Sequence, residues 1–161
     1  VGVDEGNLRL DIPAAPVGPW VRGGEVSLPV LWTRRGPGAH YEEYSAHIRF
    51  ENSAMPVLRG AAAFVSKPLR RIVLEKRAGG SYRARAVEAP FRYLCPTAGW
   101  EIGRAMEDTL RFIVPPSLLP GTYRLRVALE RGTLYPVLRP ADLLRDEDRF
   151  SGPVLGTLEI R

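Results

Sequence analysis

The sequence predicts an all-β fold from two observations. Apolar and polar residues alternate in several short runs, and 16 Gly and 15 Pro interrupt the 161 residues too often for long helices. Half-buried antiparallel strands produce such alternation, and strands at regular spacing with turns between them are typical of a sandwich. We therefore expect an immunoglobulin-like antiparallel β-sandwich with seven to eight strands and at most one or two short helices.

Alternating runs place the strands of the first half of the chain. Residues 7–12 form a short strand that ends at Pro13, and residues 13–19 read as a connector rich in Pro, Ala and Gly. Residues 25–33 and 41–51 alternate in the same way and predict the next two strands. In the first of these runs, Trp32 shares a face with apolar residues and is expected in the core.

The second half of the chain contains the clearest strand pair. Residues 110–114 and 123–129 alternate on either side of a proline-rich loop, residues 140–148 can form a short helix, and residues 154–160 form a last strand. We find no internal repeat and no second domain boundary. The chain is therefore expected to form one domain over residues 1–161.

Residues 55–93 are predicted to be a basic insertion. Between residues 59 and 92 there are nine basic and two acidic residues, whereas the rest of the chain has 14 basic and 16 acidic. We favour a hairpin of residues 71–77 and 82–88, because Gly79 and Gly80 suit a tight turn. The alternative is a helix that begins at Pro68, buries Leu69, Ile72, Val73 and Lys76, and ends at Gly79.

A hairpin in this insertion would bring arginines together on one exposed face. Such a face suits anionic lipid headgroups or phosphorylated polymers of the cell envelope, and the alternative is an ordinary solvated surface. Nucleic acid is not expected, because the sequence has no recognition helix and no stacking motif. The predicted anionic-partner patch consists of Arg70, Arg71, Arg77, Arg83 and Arg85.

The sequence offers little support for catalysis. His40 and His47 are seven residues apart, so on one strand they would face opposite sides and could not share a metal ion. Cys95 is a lone thiol, and nucleotide-binding and nucleophile-elbow motifs are absent. We therefore expect no enzyme activity, no cofactor and no metal site; a hydrolase that uses surface carboxylates is the less favoured alternative.

Aromatic residues near the predicted loop edges are the candidate ligand-contacting residues. A flat ring in such a place can stack on a sugar or on a side chain of a partner protein, and the alternative is packing against the core. The four candidates for ligand or partner binding are Trp20, Tyr41, Tyr93 and Trp100.

Two segments carry a resemblance to a known family. GPWVRGGEVSLPVLW (18–32) and PTAGWEIGRAMEDTLRFIVPPSLLPGTYRLRVALE (96–130) resemble the β-sandwich accessory domain on the extracytoplasmic side of some bacterial membrane glycosyltransferases. The basic insertion departs from that family, which has a short connection there. The matching positions are Trp20, Gly23, Gly24, Trp32, Pro96, Thr97, Trp100, Gly103, Asp108, Pro120, Gly121, Tyr123, Leu125 and Val127.

The resemblance implies a non-catalytic accessory or interaction domain of a bacterial cell-envelope protein. Its expected location is extracytoplasmic, on the periplasmic or cell-envelope face, and its expected partner is another envelope protein or a glycan. Because the chain begins at Val1 without a leader, we expect a processed or excised piece of a larger membrane protein. The alternative function is a carbohydrate-binding module that uses Trp20, Trp100 or Tyr41.

Overall fold

The computed structural model describes residues 1–37, 44–54, 67–93, 99–131 and 152–161, with the side chains of residues 67–71, 92, 93 and 131 outside the description. In these ranges the chain forms eight strands, one α-helix and a 3₁₀ turn at Pro90–Tyr93. The elements are β1 (Gly2–Glu5), β2 (Leu8–Asp11), β3 (Glu25–Arg34), β4 (Tyr44–Asn52), α1 (Lys67–Ala78), β5 (Arg83–Glu88), β6 (Ala105–Ile113), β7 (Gly121–Arg131) and β8 (Val154–Ile160).

The strands form two antiparallel sheets of four strands each. The first sheet has the order β1-β2-β3-β6 and the second has the order β5-β4-β7-β8. Beyond β2 the chain joins the other sheet, where Trp20 forms a parallel bridge with Ile160 and its amide donates to the Glu159 carbonyl at 2.9 Å. The predicted antiparallel all-β sandwich is confirmed.

The core lies between the two sheets and is built from the apolar half of each alternating run. Trp32 is fully buried on β3, as its alternation predicts. The observed bounds of β3 and β8 agree with the predicted bounds to within one residue. Core side chains include Leu8, Leu10, Leu28, Val30, Ile48, Phe50, Leu110, Phe112, Leu125, Val127, Leu158 and Ile160.

Asp108 is a polar residue on the inner side of β6, and it joins three elements. Its Oδ2 accepts hydrogen bonds from Trp32 Nε1 and from the Phe91 amide, both at 2.9 Å. Its Oδ1 accepts from the Thr109 amide at 2.7 Å. A carboxylate with three such donors satisfies indole and backbone groups that would be costly to leave unpaired.

The hairpin predicted for residues 71–77 and 82–88 is wrong in its first half, because residues 67–78 form α1. The two glycines end a helix instead of making a hairpin turn. Gly79 has φ +70°, and the Gly80 amide donates to the Glu75 carbonyl at 3.2 Å, which is the Schellman arrangement. The second half is confirmed as β5.

The helical alternative is correct in type and wrong in burial. Ile72 is 58% exposed and Val73 is 46% exposed, and Lys76 is exposed as well. Among the described side chains of α1, at residues 72–78, only Leu74 and Glu75 are half-buried. The helix predicted for residues 140–148 lies outside the described residues.

The loop between β6 and β7 is fixed by Tyr123. This fully buried side chain stands near the start of β7, and its hydroxyl lies 2.7 Å from the Leu119 carbonyl and 3.2 Å from the Ser81 carbonyl. A tyrosine that bonds back to the backbone a few residues upstream is a hallmark of immunoglobulin-like sandwiches. Burial raises the pKa of Tyr123, so the hydroxyl remains protonated and can donate.

We expect Tyr123→Phe to lower the free energy of unfolding by about 1.5 kcal/mol, because the Leu119 carbonyl loses the hydroxyl of Tyr123 as its donor. For a chain of this size that corresponds to a fall of roughly 3–6 °C in Tm. Thermal or urea unfolding measures the change. Tyr82→Phe removes the same atom at a half-buried position near the same turn. Equal stability of the two variants would contradict the role given to Tyr123.

Candidate functional site

The predicted aromatic candidates are packing residues where the structure describes them. Trp100 is only 5% exposed and meets the edge of Phe91 at a ring distance of 5.3 Å. Trp20 is half-buried, lies edge-on to Phe112 at 5.9 Å, and donates its indole N–H to the Val17 carbonyl at 3.1 Å. Thus Trp100 lies in the core instead of at a surface, and neither ring is an open platform.

The other two aromatic candidates cannot be placed with them. Tyr41 and the side chain of Tyr93 lie outside the described residues. Every aromatic side chain that the structure does describe is buried or half-buried. Stacking on a sugar ring therefore has no exposed platform in the described part of the chain.

The predicted arginine patch is divided between two elements. Arg77 is exposed on α1, whereas Arg83 and Arg85 occupy alternate positions on β5 and point to the same side of the second sheet. Arg70 and Arg71 belong to α1, and their side chains lie outside the description. The hairpin that was to unite these five residues does not exist, but Arg83 and Arg85 do join other arginines.

The outer side of the second sheet brings arginines from three strands together. Arg85 of β5, Arg49 of β4 and Arg126 of β7 stand directly opposite one another in register. The next row contains an arginine on each flank of a glutamate. We define the arginine face as Arg49, Glu51, Arg83, Arg85, Arg124, Arg126 and Glu130, of which Arg83, Glu51 and Arg124 form this second row.

Two glutamates hold part of this cluster. Glu51 contacts Arg49 Nε at 3.2 Å through Oε1 and accepts a hydrogen bond from Arg126 Nε at 3.3 Å through Oε2. Glu130 lies 3.9 Å from Arg85 Nη1. The Arg126 guanidinium also donates to the Gly152 carbonyl at 2.9 Å. The side chain of Arg126 is therefore bonded on two sides, which fixes its orientation.

The arginine face contains five arginines and two glutamates. Arg49 and Arg83 make further interactions within the chain. Arg49 at its centre is only 5% exposed, whereas Arg85 and Arg124 are exposed at its flanks. Like charges directly opposite on neighbouring strands destabilise a sheet, so this row has a cost for folding.

His47 occupies the next row of the same face. It is 6% exposed, its Nε2 lies 2.7 Å from Ser45 Oγ and 3.5 Å from Glu130, and its Nδ1 has no hydrogen-bond partner among the described residues. Burial, and secondarily the charge of Arg85, lowers the pKa of His47 to about 4. The imidazole is therefore neutral at neutral pH and adds no charge to the face.

The arrangement is suited to holding oxyanions. A guanidinium group presents paired donors that match phosphate, sulfate and carboxylate oxygens. Within the described ranges, no group of three or more His, Cys, Asp and Glu side chains could hold a metal ion. His40, Cys95 and the acids at 42–43 and 146–148 lie outside those ranges. No described helix is long and apolar enough to cross a membrane.

Sequence reasoning missed three of the five arginines of the face, Arg49, Arg124 and Arg126, and both of its glutamates, Glu51 and Glu130. The sequence could have indicated these arginines through the polar positions of its alternating runs, because each of the three strands has an arginine at such a position. The comparisons add no further assignment: no protein-family model, no curated protein and no solved structure matches the chain. The resemblance to glycosyltransferase accessory domains remains a prediction.

We expect the protein to lose stability as the pH falls from about 6.5 to about 4. Between these pH values the His47 side chain becomes protonated in the unfolded chain. In the folded chain it stays neutral, because its pKa there is about 4. The unfolded state then binds more protons, and the free energy of unfolding falls by up to about 1.4 kcal/mol per pH unit.

Urea unfolding at several pH values measures this loss, with His47→Gln as the control. Glutamine keeps an amide near the position of Nε2 but does not titrate, so the variant should lose less stability over the same window. Identical pH dependence of the parent and of His47→Gln would contradict the assignment.

Proposed function

We propose that this chain is a non-catalytic interaction domain of a bacterial cell-envelope protein, located on the extracytoplasmic side, that binds an anionic partner through the arginine face. The observation that carries the proposal is the in-register row of Arg85, Arg49 and Arg126. Its envelope location rests on the resemblance of residues 18–32 and 96–130 to accessory domains.

Electrostatics supports a binding role for this row. Cations fixed side by side on a sheet sum to a local positive potential, which attracts an anionic partner and orients it during association. The exposed Arg85 and Arg124 can reach a ligand, while Glu51 and the Gly152 carbonyl hold Arg126 in place. A partner with negative charges would offset the repulsion within the row.

Carbohydrate binding by ring stacking has weaker support than charge-based binding. Trp100 is buried and Trp20 is engaged with Phe50 and Phe112. A glycan partner would therefore be held by the charges of its anionic groups and not by aromatic stacking. Another envelope protein and an anionic glycan are therefore the partner classes to be separated by experiment.

We expect the double variant Arg85→Glu/Arg124→Glu to bind isolated bacterial envelope fragments about 30-fold more weakly than the parent. Each of the two lost contacts is expected to weaken binding by about 1 kcal/mol. Co-sedimentation with the fragments at low and high salt measures the difference. Both substituted side chains are exposed, so the unfolding temperature should change little.

Arg104→Glu is the matched control, doubled with Arg161→Glu to reproduce the change in net charge. Arg104 is 73% exposed and Arg161 is 63% exposed, and neither belongs to the arginine face. The control should bind nearly as the parent does. A control that loses as much binding as the double variant, or a double variant that binds normally, would exclude the proposed function.

A further inference from the structure

The outward side of α1 presents apolar and basic side chains together. Ile72 is 58% exposed, Val73 is 46% exposed, and Lys76 and Arg77 are exposed one turn further along the helix. Each residue of a helix is rotated by about 100° from the one before it, so these four side chains occupy an arc of roughly 140°. We define the α1 face as these four residues.

The two half-buried side chains of α1 lie outside this arc. They are Leu74 and Glu75, and Glu75 is the only acidic residue in the helix. The sequence of α1 contains five basic residues, of which Lys76 and Arg77 stand in the last turn. The exposed side of the helix is therefore both apolar and positively charged.

The C-terminal end of α1 is fixed to the loop between β6 and β7. Just after the helix, the Ser81 amide donates to the Ser117 carbonyl at 2.7 Å, and the Leu119 amide donates to the Ser81 carbonyl at 3.0 Å. Residues 112–123, which include this loop, contain no charged residue. The loop thus holds the end of the helix without placing an acidic group beside the α1 face.

The spacing of the apolar residues argues against a groove in a protein as the partner. A helix that docks in such a groove presents apolar anchors at positions i, i+3 or i+4, and i+7. Three and four residues after its two exposed aliphatic side chains, α1 continues with charged residues instead, namely Glu75, Lys76 and Arg77. The helix also contains no aromatic residue that could anchor a protein interface.

The interface of a lipid bilayer suits both kinds of side chain. Aliphatic groups can be buried to a shallow depth there, while the long stems of Lys and Arg extend to the phosphates of the headgroups. Anionic lipids attract basic side chains to such a surface. The twelve residues of α1 span about 18 Å, which is too short to cross a bilayer, so the helix would lie in the plane of the interface.

We infer that the α1 face binds the surface of an anionic phospholipid bilayer. Ile72 and Val73 insert among the headgroups, and Lys76 and Arg77 contact the lipid phosphates. This surface is separate from the arginine face, and the inference does not depend on the proposed function. Its role is to hold the domain at a membrane surface.

Co-sedimentation with two kinds of vesicle tests the inference. One kind contains equal parts of phosphatidylglycerol and phosphatidylcholine, and the other contains phosphatidylcholine alone. We expect about 30-fold tighter binding to the anionic vesicles at low salt, because each of the two exposed cations improves binding about fivefold. The difference should shrink as the salt concentration rises. Equal binding to both kinds at low salt, or no binding to either, would overturn the inference.

Two double variants separate the charged and the apolar contributions. Lys76→Gln/Arg77→Gln should weaken binding to the anionic vesicles about 30-fold at low salt and less at high salt. Ile72→Gln/Val73→Gln should weaken it about 10-fold at either salt concentration, because salt does not screen the burial of aliphatic groups. Gln is a good helix former and all four positions are exposed, so the unfolding temperature should change little.

The matched controls make the same kinds of substitution away from α1. Arg35→Gln/Arg104→Gln removes the same charge at two side chains that are 51% and 73% exposed. Ile102→Gln/Val154→Gln replaces two aliphatic side chains that are 54% and 42% exposed. Both controls should bind nearly as the parent does. Controls that lose as much binding as the α1 variants would overturn the inference, because net charge or exposed apolar area would then suffice.

Other binding modes are tested as competing outcomes. If poly-L-glutamate binds as tightly as the anionic vesicles and depends on the α1 face, the partner is an acidic protein segment and the inference fails. If Arg85→Glu/Arg124→Glu abolishes vesicle binding while the α1 variants retain it, the lipid contact lies on the arginine face and the inference fails. If vesicle binding requires α1 but envelope binding does not require Arg85 and Arg124, the inference stands and the proposed function fails.

Discussion

The register of β4 is the constraint on which both sides of the second sheet depend. Ala46, Ile48 and Phe50 point inward and are at most 2% exposed. A shift of one residue would move all three to the outside, because successive side chains of a strand face opposite sides. The same register that buries them sets Arg49 opposite Arg85 and Arg126.

Magnitudes show which of these two effects determines the structure. Burial of Ile48 or Phe50 contributes about 1.5–3 kcal/mol each, whereas a cross-strand pair changes stability by roughly 0.2–1 kcal/mol. Repulsion within the arginine row is therefore too weak to displace the register. Glu51 offsets part of the repulsion, and a neutral His47 avoids adding to it. The apolar core thus maintains a charged outer side that has a cost of its own.

The local sequence pattern was sufficient to locate most strands. It was not sufficient where contacts between distant parts of the chain determine the structure. Alternation located β3, β6, β7 and β8, because a half-buried strand must alternate. Residues 71–77 are a short run that fits two periods, and the glycines after it can make a hairpin turn or end a helix. The exposure of Ile72 and the burial of Trp100 depend on what lies opposite each residue, which spacing along the chain does not record.

The arginine face shows the same limit from the functional side. Its arginines come from β4, β5 and β7, and each strand displays them only as the polar half of an alternating run. The sequence of residues 59–92 indicates one basic segment, but in the structure one part of it forms α1 and another part forms β5. Knowledge that β4 lies between β5 and β7 is what turns three separate polar patterns into one surface.

Placement on a sheet rather than on a helix has a consequence for selectivity. The basic residues of α1, such as Lys76 and Arg77, are carried by an element with exposed Ile72 and Val73, so their surroundings are mixed. The arginines of the face are carried by paired strands whose positions are fixed by the core. Fixed attachment points lower the entropy lost when several charges are bound together. The spacing between the exposed Arg85 and Arg124 is therefore set by the backbone pairing that the core maintains.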